Sequence, residues 1–160
     1  MSASRQLLRL PFGYRVARGI ANAVHRLLSG NPMPEAQGVI PLGQPTPTAK
    51  LDLSPGEWVR IKPAEEIVAT LNKQNKNRGM WFDPGQVPNC GRTFQVRRRV
   101  TRLIEERTGE LITMQNPCIT LEGTLCNPEF ADRRLLCPRN IPAFWREAWL
   151  ERIDPQSPKA

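Results

Sequence analysis

The sequence predicts a mainly β domain of the α+β class, and two observations carry this prediction. Between residues 56 and 153, apolar and polar side chains alternate in several short segments, as in strands with one buried face. Glycine and proline separate these segments, and only one short stretch in this range has helical spacing. The chain of 160 residues is about one domain long.

The first 30 residues form a basic amphipathic segment. They carry five arginines and no acidic residue, so most of the net charge of +8 lies here. Apolar side chains recur at helical spacing from Val16 to Leu28, which predicts a helix that ends before Gly30. Such a helix suits a partner protein's groove, an anionic membrane surface, the chain's own domain or an organelle presequence. The residues predicted to bind a partner or membrane are Arg15, Arg18, Ile20, Val24, Arg26 and Leu27.

A proline-rich linker is predicted for residues 31–55. Six prolines lie in this range, and proline lacks the backbone donor that helices and sheet ladders need. We therefore expect extended chain here, then a folded domain at residues 56–153 and a tail at residues 154–160.

The folded domain begins with a predicted strand and a short helix. In "GEWVRIK", Val59 and Ile61 alternate with polar or amphipathic neighbours, which indicates a half-buried strand. "PAEEIVATLNK" has Pro63 at its start and acidic residues in its first turn, which is typical of a helix. "NRGMWFDPGQVPN" predicts a loop around an apolar Met-Trp-Phe cluster.

The second half of the domain is predicted to be a strand meander. "TFQVRRRVTRLIEE" alternates along its length and predicts one long, bent strand. "RTGE" predicts a hairpin turn with Gly109 at positive φ, and "ELITMQ" and "CITLEGTL" predict the returning strand and a further one. "AFWREAWLERI" suits a helix or a strand, because Trp145 and Trp149 share a face in both. We predict a strand, led in by a helical turn, that closes a small antiparallel SH3-like barrel.

All four cysteines lie in the folded domain. Cys90, Cys118, Cys126 and Cys137 are separated by 28, 8 and 11 residues. Four thiolates complete the tetrahedral shell of a structural zinc ion, and nearby Gly and Pro favour turns that point a thiolate inward. We predict a zinc site at these four residues, with an iron–sulfur cluster as the alternative cofactor. Because no CxxC pair is present, separately buried thiols and disulfides stay open as interpretations.

Four segments, "CGRTFQV", "ITLEGTLC", "LLCPRN" and "FWREAWL", together resemble a group of uncharacterised bacterial proteins. These share a Cys-Gly-Arg-x-Phe-x-Val strand, a Leu-Glu-x-x-x-Cys strand end and a closing Phe-Trp-(Arg or Lys)-Glu-x-Trp-Leu. The resemblance covers residues 56–153, and its matching cysteines are Cys90, Cys126 and Cys137. Other members have His in place of Thr120 and a second Cys near Ile141, whereas Cys118 is particular to this chain. The resemblance implies a ligand-rich site but no function.

No catalytic residues are predicted. The one histidine, His25, lies among the N-terminal arginines, so no base is expected beside a cysteine thiol. The paired acids Glu65-Glu66 and Glu105-Glu106 lie at a helix start and a hairpin end, where carboxylates are usually solvated. No glycine-rich phosphate loop is present.

The segment "VRRRVTR" predicts a stripe of arginines on the long strand. Alternation places Arg97 and Arg99 on one face of the strand and Arg98 and Arg102 on the other. Beside an aromatic side chain, such a stripe can follow a phosphate backbone. The competing interpretation is that neighbouring glutamates neutralise it, since residues 31–160 have 18 basic and 15 acidic side chains.

The sequence thus favours a non-enzymatic, metal-stabilised β-barrel adaptor that docks on a partner protein or membrane surface through its basic N-terminal helix. The alternatives are a nucleic-acid-binding module that uses the arginine stripe and an iron–sulfur redox protein. No run of 18 apolar residues and no secretory signal are found. We therefore expect a cytoplasmic location, peripheral to a membrane, or an organelle matrix after import.

Overall fold

The structure is a computed structural model that describes Ile20, Val24 and residues 37–105, 107–126 and 141–153. Within these residues the fold is mainly β, with antiparallel pairing throughout the strands. The predicted class is therefore confirmed.

The first strand and the helix form where the sequence predicts them. β1 (Trp58–Ile61) buries Val59 and Ile61 completely, whereas its other two residues are exposed. The helix α1 (Ala64–Ala69) follows Pro63, a residue whose missing N–H is harmless before a first helical turn. Its buried residue, Ile67, packs into the core, so the helix predicted from the sequence pattern is also stabilised by packing.

The segment predicted as a loop contains a short hairpin and a 3-10 helix. β2 (Lys76–Asn77) pairs with β3 (Met80–Trp81) across a two-residue turn, and η1 (Pro84–Asn89) follows. Arg78 and Gly79 occupy the turn with φ of 47° and 83°. A type I′ hairpin turn requires positive φ at both central residues, so the chain here is ordered by turn chemistry and not by periodicity.

A long hairpin forms the centre of the main sheet. β4 (Thr93–Ile104) pairs with β5 (Leu111–Leu125), and Gly109 takes φ of 75° in the turn, as predicted. Two register shifts interrupt the pairing, one beside Val96 and one beside Val100. "ELITMQ" and "CITLEGTL", predicted as two strands, are one strand, because residues 114–117 at the second shift bulge and do not turn. We name these residues the β5 bulge.

The C-terminal segment forms two short strands joined by a 3-10 turn. These are β6 (Pro142–Trp145), η2 (Glu147–Trp149) and β7 (Leu150–Arg152). The main sheet has the order β6-β5-β4-β1-β7, which places the last two strands at its opposite edges. Within the described ranges, the strands are not closed into a barrel.

Three aromatic rings lie at the centre of the core. Phe82 packs edge-on against Trp145 and Trp149, with ring centroids 6.5 and 5.3 Å apart. The indole N–H of Trp145 donates to the Thr124 hydroxyl at 3.2 Å, and that of Trp149 donates to the Thr70 hydroxyl at 2.9 Å. The buried indoles therefore keep hydrogen-bond partners. The other fully buried apolar residues include Val59, Ile61, Ile67, Leu71, Val96, Ile119, Leu121 and Leu150.

Residues 37–55, the described part of the predicted linker, lie against the domain. The N–H of Ile40 donates to the carbonyl of Leu71 at 3.0 Å, and Leu53 is buried in the core. A Cβ at Gly38 would lie 2.1 Å from a backbone oxygen, so this close approach requires glycine. The segment thus contributes packing and backbone hydrogen bonds to the fold.

Candidate functional site

Arg146, directly after β6, is a buried cation with 6 % of its surface exposed. Its guanidinium donates to the carbonyls of Asn77 at 3.2 Å, Arg78 at 2.8 Å, Pro117 at 3.2 Å and also Asn116. Burial lowers the pKa of Arg146 from its ordinary value, and the nearby Cys118 acts in the opposite direction. The carbonyl oxygens replace water around the charge, and the side chain ties the β2–β3 hairpin to the β5 bulge.

Glu147 is buried as well, and it neutralises one arginine of the predicted stripe. Its Oε1 accepts hydrogen bonds from the N–H of Leu53 at 3.4 Å and from Nη2 of Arg99. A buried carboxylate requires such partners, so Arg99 has a structural role. No sequence pattern predicted the roles of Arg146 and Glu147. The available signal is their position between two tryptophans that both reach the core.

A cleft of about 220 Å³, which we name the basic cleft, opens beside these two residues. It lies between the turn of the β2–β3 hairpin, the β5 bulge and residues 48–50. Its charged lining residues are Lys50, Arg78, Arg99, Arg146 and Glu147. Lys50 lies 3.7 Å from Asp52, and Arg99 is paired with Glu147. Among the lining residues of this cleft, Arg78 is therefore the exposed cation without an acidic partner in the described part of the chain.

Arg78 is held in a strained backbone conformation at the rim of the basic cleft. A left-handed φ costs about 1–2 kcal/mol for a residue with a Cβ. Two contacts with Thr46 hold it, since its N–H donates to the Thr46 hydroxyl at 2.9 Å and its Nε donates to the Thr46 carbonyl at 2.8 Å. Within the described part of the chain, the two Nη groups of Arg78 have no partner. The guanidinium is therefore fixed at Nε and open at its outer edge.

A second cleft, about 310 Å³ in volume, lies on the other side of the same hairpin. We name it the aromatic cleft because Trp81 and Phe144 line it, together with Cys126. Phe144 lies on the edge strand β6 and is 38 % exposed. The side chain of Gln86 donates to the Phe144 carbonyl at 2.9 Å, which occupies one backbone acceptor on this strand.

The arginines of the predicted stripe do not follow the expected alternation. At the first bulge, Arg97 and Arg98 are both exposed, because two residues of β4 fit opposite one residue of β5. Arg99 is partly buried against Glu147, and Arg102, beyond the second shift, is exposed. The prediction that Arg97 and Arg99 share a face is therefore wrong, because the extra residue of β4 lies between Val96 and Arg98. The second shift adds residues to β5 and none to β4, so it does not change the alternation that relates Arg98 to Arg102.

Three of these arginines have little or no neutralising contact. Arg97 lies 3.8 Å from Glu122 with both side chains at least half exposed, and such a pair contributes little free energy. Arg98 and Arg102 have no acidic partner among the described residues. The predicted neutralisation by Glu105 and Glu110 is not found there, and Glu106 lies outside these residues.

Arg98 and Phe144 face the same side of the sheet. Arg98 pairs with Thr120, and Thr120 pairs with Phe144 on the next strand. Cross-strand partners project to the same face, so the three side chains form one row across β4, β5 and β6. Two strand spacings put the Cα atoms of Arg98 and Phe144 about 10 Å apart. An exposed cation and an exposed ring thus flank a buried threonine.

Cys118 is buried inside β5. Its Sγ lies 4.0 Å from the Val100 carbonyl oxygen and 3.9 Å from the sulfur of Met114. Burial raises the pKa of the Cys118 thiol to about 11, against a smaller opposite effect of Arg146. The thiol is therefore protonated at neutral pH and is a poor nucleophile.

The strand register separates Cys118 from Cys126. Cys118 precedes Ile119, which pairs with Trp145, whereas the N–H of Cys126 donates to the carbonyl of Ile141. Cys118 therefore lies opposite residue 146 and Cys126 beside residue 141, which separates them by five residues along the direction of β6, or roughly 16 Å. Two sulfurs bound to one zinc ion lie at most about 4.6 Å apart. The register therefore does not bring Cys118 to an ion that Cys126 binds.

Cys90 contacts Gln86, which lines the same cleft as Cys126. The Sγ of Cys90 is 3.9 Å from the Gln86 carbonyl, and Gln86 and Cys126 line the aromatic cleft. Burial, and to a smaller extent Glu65, raises the pKa of Cys90 to about 11. In the described ranges, no three His, Cys, Asp or Glu side chains form a metal-binding group. Cys137 lies outside those ranges, so the zinc site stays a prediction.

The predicted N-terminal docking segment is described at two residues only. Ile20 and Val24 are helical, and 61 % and 47 % of their surfaces are exposed. Arg15, Arg18, Arg26 and Leu27 lie outside the described residues. No helix in the described part of the chain is long and apolar enough to cross a membrane. Docking of this segment therefore stays a prediction.

Comparison with known protein families finds no match, and neither does comparison with curated proteins. The arginines, the two clefts and the hairpin between them are therefore the observations on which a functional proposal rests.

Proposed function

We propose that this protein is a non-enzymatic module that binds single-stranded nucleic acid across β4, β5 and β6. The observation that carries the proposal is the group of exposed arginines on β4, Arg97, Arg98 and Arg102, together with the exposed ring of Phe144 on the same sheet face as Arg98. Arginine side chains contact phosphates without regard to sequence, and aromatic rings stack on the bases of an unpaired strand.

The position of the aromatic cleft supports a single strand as the ligand. Phe144 and Trp81 line the cleft, and Arg98 lies two strands away from Phe144 on the same face of the sheet. A base that stacks in the cleft would leave its phosphates toward the arginines. Stacking on these rings requires exposed base faces. A duplex keeps its base faces stacked on each other, so the rings can stack only on the bases of a single strand.

The chemistry of Cys90 and Cys118 argues against nucleophilic cysteine catalysis. The pKa of both Cys90 and Cys118 is raised to about 11, so neither thiol is an activated nucleophile at neutral pH. His25 lies outside the described residues. The acids Glu65 and Glu66 are exposed on α1, as solvated carboxylates are.

The sheet dimensions support the SH3-like barrel as the architecture of this module. A flat five-stranded sheet would place its edge strands about 19 Å apart. The link from Trp145 to Leu150 contains a 3-10 turn and spans at most about 13 Å. Because this short link joins the two edge strands, it supports a sheet that curves toward closure.

The test is binding of a fluorescent oligothymidylate, measured by anisotropy at several salt concentrations. The variant Arg97→Gln/Arg98→Gln/Arg102→Gln should bind at least about 10-fold more weakly at low salt. Its plot of log affinity against log salt should lose about 2 units of slope, since each contact with single strands contributes about 0.7. Binding by a chain that lacks residues 1–30 should persist.

The matched control is Arg60→Gln/Lys73→Gln/Arg92→Gln, which removes three exposed charges outside β4–β6. This control should stay within about 2-fold of the wild type, because it changes the same net charge and none of the proposed contacts. Equal losses in the two variants would show that only the total charge matters and would refute the proposal.

A second function, the metal-stabilised adaptor, is favoured by the exposure of Ile20 and Val24 one helical turn apart. In this proposal the N-terminal helix docks on a protein partner or an anionic membrane. Ile20→Ser/Val24→Ser should reduce flotation with vesicles that contain phosphatidylserine. The control Val39→Ser/Leu42→Ser, at apolar residues that are 60 % and 56 % exposed, should not.

A further inference from the structure

We infer that Arg78 forms a phosphate-binding subsite at the rim of the basic cleft, an inference that rests on the proposed function. Its Nε is bound to the Thr46 carbonyl at 2.8 Å, and its two Nη groups have no partner in the described ranges. Two parallel N–H donors match two oxygens of a phosphate. The guanidinium is thus already oriented before a ligand arrives, which reduces the entropy lost on binding.

The backbone at Arg78 supports a role beyond the turn itself. The turn places φ of 47° at this residue, and a type I′ turn favours Asn, Asp or Gly there. Arginine is held in place by Thr46 and by Arg146, whose Nη2 donates to the Arg78 carbonyl at 2.8 Å. The turn geometry does not require a cation. An exposed, fixed guanidinium in this position is what a ligand phosphate would use.

The hairpin places this subsite between the two clefts. Asn77 and Arg78 line the basic cleft, whereas Met80 and Trp81 line the aromatic cleft. A nucleic-acid strand with one base stacked beside Trp81 would therefore place its next phosphate over the hairpin turn. Two other cations of the basic cleft are already engaged, Arg99 by Glu147 and Arg146 by backbone carbonyls. Lys50 forms only an exposed ion pair with Asp52 and is not fixed in one orientation.

The test compares Arg78→Gly with Arg107→Gly, an exposed arginine in the β4–β5 turn, in the full-length chain. Binding to oligothymidylate should weaken about 10-fold or more in Arg78→Gly and change less than about 2-fold in Arg107→Gly. The urea midpoint of Arg78→Gly should stay close to the wild-type value, because the backbone strain that glycine relieves offsets the lost hydrogen bond to the Thr46 carbonyl. Arg78→Asn, which also tolerates this φ, should repeat the loss of affinity if glycine destabilises the turn.

Four outcomes distinguish the Arg78 subsite from the proposed function as a whole. Weaker binding by Arg78→Gly or Arg78→Asn at an unchanged urea midpoint supports the subsite. Wild-type affinity in both variants overturns the subsite, and the proposed function survives if the triple variant of the arginine stripe still loses binding. Weaker binding only in variants with lower stability also overturns it. Absence of oligothymidylate binding by the wild-type protein overturns the subsite and the proposed function together.

Discussion

Replacement of Arg146 by methionine should destabilise the domain more than any exposed arginine substitution. Methionine retains most of the apolar stem and fills much of the space, so the change removes mainly the charge and its donors. The side chain is 6 % exposed and donates to four carbonyls in two separate segments, the β2–β3 hairpin and the β5 bulge. Both segments lose their common anchor in the variant.

The magnitude follows from these contacts. A hydrogen bond from a charged donor contributes about 1.5–3 kcal/mol, so four would give roughly 6–12 kcal/mol. The cost of burying the cation offsets part of this, and water can reach carbonyls that line the cleft once the guanidinium is gone. We therefore expect a loss of about 3–5 kcal/mol, a large fraction of the 5–15 kcal/mol typical of a domain.

Urea unfolding followed by tryptophan fluorescence measures this loss, because Trp145 and Trp149 are fully buried. Arg146→Lys should give a smaller loss, since an ammonium keeps the charge but has only three donors. The control Arg98→Met makes the same chemical change at an exposed residue and should stay within about 0.5 kcal/mol. A loss below about 1 kcal/mol in Arg146→Met would refute the anchoring role.

Three further predictions follow from the site. The pKa of Cys118 is about 11 in the folded protein, above the ordinary 9.0, so the unfolded chain loses this proton first. The free energy of unfolding should therefore fall as pH rises from 9 to 11. This fall should be smaller in Cys118→Ala. Glu147→Gln should cost about 2–3 kcal/mol in urea unfolding, because Arg99 loses its buried ionised partner. If the domain binds zinc, elemental analysis should find less metal in Cys126→Ser and no change in Cys118→Ser. Loss of the metal in both variants would contradict the register that separates these cysteines.

Local pattern was sufficient to predict β1, α1 and the β4–β5 hairpin. Each combines a clear alternation or cap with a turn residue in the expected place, such as Gly109 at φ of 75°. The β2–β3 hairpin was missed because strands of two residues have no period to detect. The continuity of β5 was not predicted because a bulge interrupts the alternation between "ELITMQ" and "CITLEGTL", after which the chain resumes pairing with β4.

The site was harder to predict than the fold, for a physical reason. The partners of Arg146 are backbone carbonyls that lie 69, 68, 30 and 29 residues away, and a carbonyl has no side-chain signature in a sequence. The joint exposure of Arg97 and Arg98 results from a bulge that strict alternation does not contain. Cysteine spacing alone likewise could not show that the register separates Cys118 from Cys126.

The anchoring of two central segments by Arg146 has a consequence for synthesis on the ribosome. The β2–β3 hairpin and the β5 bulge leave the exit tunnel well before the residue that joins them. Trp145 and Trp149, which complete the core, emerge at nearly the same time as Arg146. A nascent chain stalled before residue 142 should therefore stay open to proteases and chaperones, and folding should be completed only after residues 142–152 have left the tunnel.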